Sequence, residues 1–233
     1  VARVAAFREQ APTCAVVYLH SEPGLTIQRN VGIAKASKDI VHFLDDDVIL
    51  DSLYMDEIQK AYESDTQGDL VAVSPVLTLP RPVGQAACAF RALFMLSRVS
   101  GRGRLHPSGF GTYTWYSNYP DVHPLEVGCG CCTFRRSLFD TLRFDEWFEG
   151  YGYMEDLEFT YRAGKCGRFL CNPRATMLHV ETPSARTNRR RLMEMQVVNH
   201  HYMFRKHVPQ SLFHWACFWW SELGESIRRL GIA

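Results

Sequence analysis

The sequence predicts an α/β fold, a mixed, mainly parallel sheet flanked by helices. Three observations carry that expectation. Apolar, β-branched segments alternate with helical ones early in the chain, in the order strand, helix, strand, helix, strand. The segment KDIVHFL, 38–44, is a near-continuous apolar run of the kind covered on both faces in a parallel sheet. With 233 residues, 46% of them hydrophobic, the chain is long enough to bury one substantial core.

The elements follow in order. Residues 2–10 read as the tail of a helix and CAVVYLH, 14–20, as a strand. Glu22-Pro23-Gly24 is a turn signal, and apolar residues at 27, 31 and 34 suit a short helix over 26–37. After the 38–44 strand, Asp51 or Ser52 caps a helix over 53–64, and LVAVSPVL, 70–77, is the next strand. The second half is less regular. A helix over 85–99 leads into a loop over 101–124 rich in Gly, Tyr, Trp and Pro. LEVGCGCCTF, 125–134, reads as a strand, followed by a short helix capped by Ser137. A helix over 153–164 places Leu157 and Tyr161 on one face, pairs Glu158 with Arg162 and stops at Gly164. RFLCN and ATMLHV are strands, a basic helix covers 189–207, and an aromatic-rich helix closes the chain. Residues 1–210 thus form the main domain. Residues 211–233 form an amphipathic aromatic helix that either packs on it or lies on a membrane.

Bulk charge excludes one class of partner. The formal net charge is +1, so nothing global points to nucleic acid. No apolar run reaches the roughly 18 residues a spanning helix needs, and the N-terminal VARVAAFREQAPTC lacks the apolar core of a secretory signal. Eight cysteines show no regular spacing. The cluster at 129–132 lacks a second pair at zinc-site spacing, so these cysteines read as small buried residues on a strand.

Chemistry concentrates at three places. Asp45, Asp46 and Asp47 leave the carboxyl end of the 38–44 strand, where open α/β sheets bind ligands. In extended chain, side chains at i and i+2 point the same way, so Asp45 and Asp47 converge and Asp46 turns away. Two converging carboxylates are costly unless a cation joins them, and hard oxygen ligands favour Mn²⁺ or Mg²⁺. The plainer alternative is an acidic turn capping the next helix. Glu155 and Asp156 open a helix after Gly-Tyr-Gly-Tyr, either as dipole partners or with one as general base. His179 ends a strand, as a metal ligand or a structural residue. The stretch after it carries Arg186, Arg189, Arg190 and Arg191, a solvated face or a diphosphate clamp.

In this order, GLTIQRNVGIAKASKDIVHFLDDDV, FDEWFEGYGYMEDLEFTYRAGKCG and LHV with its basic follow-on resemble glycosyltransferase family 2 of the GT-A fold, a Rossmann-like architecture. The resemblance spans about two thirds of the chain. It implies Asp45, Asp47 and His179 as metal ligands and Asp156 as catalytic base. It implies Arg29, Asn30, Asp46 and Arg189 near the donor, and Trp147 and Glu155 near the acceptor. The implied activity is inverting hexosyl or deoxyhexosyl transfer from a nucleotide sugar to a glycan, lipid-linked or small-molecule acceptor, with Mn²⁺ or Mg²⁺. The implied setting is cytoplasmic, with peripheral contact at the inner face of a membrane. The family's opening strand, helix and strand have no counterpart here, which implies N-terminal truncation and an exposed sheet edge. The processive Q-x-x-R-W motif is also missing, which favours single transfer. Two alternatives stay open: a non-catalytic or partner-dependent glycan-binding module, and a phosphohydrolase or nucleotidyltransferase using the same carboxylates.

Overall fold

A nine-residue strand, Leu70–Thr78 (β3), runs through the middle of the sheet. Its burial is near-continuous because neighbours cover both faces. The computed structural model describes residues 15–78, 83–97, 102–113, 120–180 and 189–231. The expected helix over 2–10 lies outside them.

The other strands are Ile40–His42 (β1), Val48–Leu50 (β2), His123–Pro124 (β4), Thr133–Arg135 (β5) and Arg168–His179 (β6). Their order is β1-β5-β3-β6-β2, with β4 also on β6. The helices are Leu25–Lys35 (α1), Tyr54–Glu63 (α2), Gln85–Leu93 (α3), Glu155–Ala163 (α4), Arg189–His207 (α5) and Leu212–Arg229 (α6), with a short 3₁₀ turn at Arg136–Asp140. The mixed α/β class stands. The parallel share is smaller than expected, because only the β3–β6 ladder is parallel among the described pairings. The cause is non-local: β5 inserts between β1 and β3 and runs antiparallel to both.

Several elements differ from expectation. Residues 15–20 form no strand, and Val17 is 68% exposed. β-branched residues favour strand only where a pleated neighbour half-buries them, and no described strand lies beside this segment. The 125–134 segment contributes only β5. Its earlier amides are drawn elsewhere: Leu125 N–H donates to Phe169 O, and those of Glu126 and Val127 donate to Gly103 O. The two strands around Pro173 are one, β6, with a register shift against β3 between Ser74 and Val76. The 85–99 helix stops at Leu93, with Met95 in the left-handed region. β2 was not anticipated.

The core gathers on β3, β5 and β6. Phe134, Phe139, Phe144 and Phe159 meet edge-on or stacked, with Phe159 of α4 stacked on Phe144 at 4.0 Å. Cys129, Cys131, Cys132 and Cys171 are buried in the same cluster. α1 is tied to the loop before α4. Leu25 N–H donates to Gly150 O at 3.0 Å, and Thr26 Oγ1 donates to Phe148 O at 3.2 Å. These ties bring the start of α1 against the loop that leads into α4.

Candidate functional site

The Asp triplet lies in the turn between β1 and β2. β2 then pairs antiparallel with β6 so that Val48 faces His179, and Val180 N–H donates to Asp47 O at 2.9 Å. This register delivers His179 to the triplet: its Nε2 lies 3.0 Å from Asp47 Oδ1. One ligand atom each from Asp45, Asp47 and His179 falls within 4.8 Å of the others. Asp46 is exposed and outside the group. Two carboxylates and an imidazole form a donor set that fits a hard divalent cation.

On the other side of Arg29 from Asp45, α4 begins under strain. Met154 precedes it at φ 71°, in the left-handed region, which costs a non-glycine residue roughly 1 kcal/mol or more. Gly152, at φ 68°, leaves room for the next turn: a Cβ there would lie 3.0 Å from Glu155 Cγ. Glu155 is buried. Burial pushes its carboxyl up to about 8 against the pull of Arg29, with Asp156 and Asp45 adding to the rise. Burial likewise raises Asp156, partly countered by Leu157 N–H, which donates to Asp156 Oδ1 at 2.8 Å.

Arg29 joins the two carboxylate groups. Its Nη1 donates to Glu155 Oε1 at 2.6 Å, and its Nη2 lies 3.6 Å from Asp45 Oδ1. Its guanidinium sits over the Phe43 and Phe144 rings. Cys131 Sγ donates to Asp45 Oδ2 at 3.4 Å. The sequence offered no sign of this contact, since Cys131 read as packing. Tyr113, from the aromatic loop, is also close enough to Asp156 and Glu155 for their charge to raise its hydroxyl, after burial.

Not every expected residue joins this group. The Asn30 amide is taken up by the loop before α4, donating to Phe144 O and Glu146 Oε1 and accepting from Phe144 N–H. Trp147 stacks on Tyr202 of α5 at 4.6 Å, half-exposed. Arg189 opens α5, and Arg186 lies outside the described residues. A cavity of about 430 Å³ lies at the far end of α4, near Tyr161, Lys165, His207 and His214, and shares no residue with the carboxylate groups.

No family model matches the chain, and no curated protein sequence does. Solved structures do resemble it. A structure of GalNAc-T7 with UDP, GalNAc and Mn²⁺ superposes with a TM-score of 0.56 at 15% identity, over 76% of this chain and 34% of that one. S. aureus TarS 1–349 gives 0.52 at 13%, over 76% and 48%. A mycobacterial protein gives 0.50 at 17%, over 88% and 61%. The chain thus spans between about a third and three fifths of these proteins. Its mixed sheet flanked by helices is the GT-A glycosyltransferase fold.

Proposed function

We propose that the chain is an inverting, family 2-type glycosyltransferase that moves a sugar from a nucleotide sugar to an acceptor hydroxyl. The observation that carries this reading is the convergence of Asp45, Asp47 and His179 opposite Glu155 and Asp156, with Arg29 between them. The fold shared with GalNAc-T7, whose structure contains UDP, GalNAc and Mn²⁺, supports it.

Asp45, Asp47 and His179 would hold the cation, and an imidazole beside two carboxylates suits Mn²⁺ at least as well as Mg²⁺. When bound, the ion supplies positive charge against the diphosphate leaving group. The remaining steps belong to side chains. Arg29 ties the two groups together, its Nη1 donating to Glu155 and its Nη2 facing Asp45. Asp156 has Oδ1 engaged by Leu157 N–H, which leaves Oδ2 for the acceptor. The acceptor oxygen bonds to the anomeric carbon as its proton passes to Asp156, and the bond from that carbon to the diphosphate oxygen breaks with its electron pair. One displacement inverts the anomeric centre. Burial raises the proton affinity of Asp156, which suits a general base. Asp46 and the arginines opening α5, Arg189 among them, serve the donor. Asn30 serves it indirectly by fixing the loop before α4. Glu155 and Trp147 serve a glycan or lipid-linked acceptor.

Asp156→Asn tests the assignment. Turnover of a nucleotide-sugar panel with Mn²⁺ should fall about 10²- to 10⁴-fold while Mn²⁺ binding persists. Unchanged turnover would remove Asp156 as the base. The half-exposed Trp147–Tyr202 stack favours a second reading, a glycan-binding module. Calorimetry showing saccharide binding without nucleotide binding would select it.

A further inference from the structure

Asp45 is the loosest member of the Asp45, Asp47 and His179 group. Its side chain is 41% exposed, against 19% for Asp47 and 20% for His179. Asp47 and His179 lie 3.0 Å apart, and the β2–β6 pairing fixes both. A site built from three ligands is only as ordered as the freest of them, because rotamer freedom left in one ligand is given up when an ion binds.

Two contacts restrain Asp45. Arg29 Nη2 lies 3.6 Å from Oδ1, a loose ion pair in a guanidinium that also serves Glu155. The Cys131 thiol donates to Oδ2 at 3.4 Å. Cys131 is fully buried, so its Sγ cannot swing away as a surface side chain would.

The sheet register delivers this thiol. β1 and β5 pair antiparallel, with Ile40 opposite Arg135 and His42 opposite Thr133. Phe43 N–H donates to Cys132 O at 3.2 Å, which carries the pairing one step further. Continued in the same register, Cys131 falls beside Leu44 and Gly130 beside Asp45. Gly130 also approaches the other carboxylates: a Cβ there would lie 3.2 Å from Arg29 Nη2 and 3.8 Å from Asp156 Cβ. Residues 130 and 131 are thus the stretch of chain that lies next to Asp45, Arg29 and Asp156 alike.

A thiol suits this place. Cysteine is among the residues most readily buried, so Cys131 packs in the core cluster and still offers one S–H. A hydroxyl would donate more strongly but would bring two acceptor lone pairs into the same apolar surroundings. A carboxylate has about four lone-pair positions, so one S–H leaves the others for an ion.

We infer that Cys131 is a positioning residue for the cation site, its thiol holding the Asp45 carboxylate turned toward Asp47 and His179. The inference rests on the reading of those three residues as the cation ligands. Cys131 acts through Asp45 and stands outside the converging group.

Calorimetric titration of Mn²⁺ into the full chain tests it, with the wild type, Cys131→Ala, Cys131→Val and Cys131→Ser. Loss of the donor should weaken Mn²⁺ binding about tenfold in Cys131→Ala and Cys131→Val, the low end of the effect of outer partners on a metal ligand, because a thiol donates weakly. Cys131→Ser keeps a donor and should keep most of the affinity. The order of the variants separates positioning from packing. Packing follows volume and would set Val nearest the wild type, whereas positioning follows the donor and sets Ser nearest. Where metal-free melting shows that Cys131→Ala does not fold, Cys131→Val carries the comparison. Wild-type affinity in Cys131→Ala and Cys131→Val, or an equal loss in Cys131→Ser, would overturn the proposal and leave the cation reading in place. Absence of Mn²⁺ binding by the wild type would remove the cation reading and this inference with it.

Discussion

Glu155 and Glu158 sit one turn apart on α4 and are held in opposite ways. Glu158 is fully buried, and burial works against its charge. His207, Arg162 and Lys206 outweigh that cost and hold it down at about 2. Arg162 alone reaches both oxygens, at 2.8 and 2.7 Å. Glu155 is also buried, but among the described residues its carboxylate pairs with Arg29 alone and its Oε2 has no hydrogen-bond partner. Burial there wins, and the carboxyl rises to about 8. Glu158 is thus saturated with cations. Around Glu155, with Asp156 and Asp45 nearby, the described residues supply less positive charge. A fold spends stability to keep such a deficit only where a ligand supplies what is missing.

The comparison can be broken from either side. Glu158→Gln strands Arg162, Lys206 and His207 around a neutral group, and should cost about 3–5 kcal/mol in urea unfolding. Its depressed carboxyl also fixes a pH window. The contribution is complete above the ordinary value of 4.5 and is lost as pH falls toward about 2. Glu155 has the opposite sign. With its folded value raised, the native state holds more protons than the unfolded chain between 4.5 and about 8. Stability from this group should fall as pH rises through that window, by at least about 1 kcal/mol, and Glu155→Gln should flatten the fall. The smallest effect belongs to Asp46→Asn. Being exposed and outside the ligand group, it should change stability by less than about 0.5 kcal/mol and leave Mn²⁺ affinity nearly unchanged.

Part of this site was legible in the sequence. The i, i+2 spacing of extended chain predicts Asp45 and Asp47 together and Asp46 apart. Asp45 and Asp47 do lie in one group with Asp46 outside it, but the triplet is in a turn, so strand alternation is not what groups them. The Glu158–Arg162 pair follows from helical spacing in the same way. What escaped depends on partners distant in the chain. β2 is three residues long and exists because β6 runs beside it, and that pairing is what brings His179 to Asp47. The insertion of β5 between β1 and β3 reversed the parallel expectation, and no local pattern encodes which strand intervenes. The Cys131 thiol read as packing because its contact with Asp45 spans 86 residues. Asn30, expected near the donor from its place in the chain, has its amide engaged by the loop before α4, a contact that spans 114 residues.

The charge deficit around Asp45, Asp47 and the head of α4 is central, and cation affinity tests it most directly. Calorimetric titration of Mn²⁺ into the wild-type chain and into Asp47→Asn should give saturable binding in the first, weakened at least about tenfold in the second, with a Tm that Mn²⁺ raises only in the wild type. Equal binding by both proteins, or none by the wild type, would contradict it.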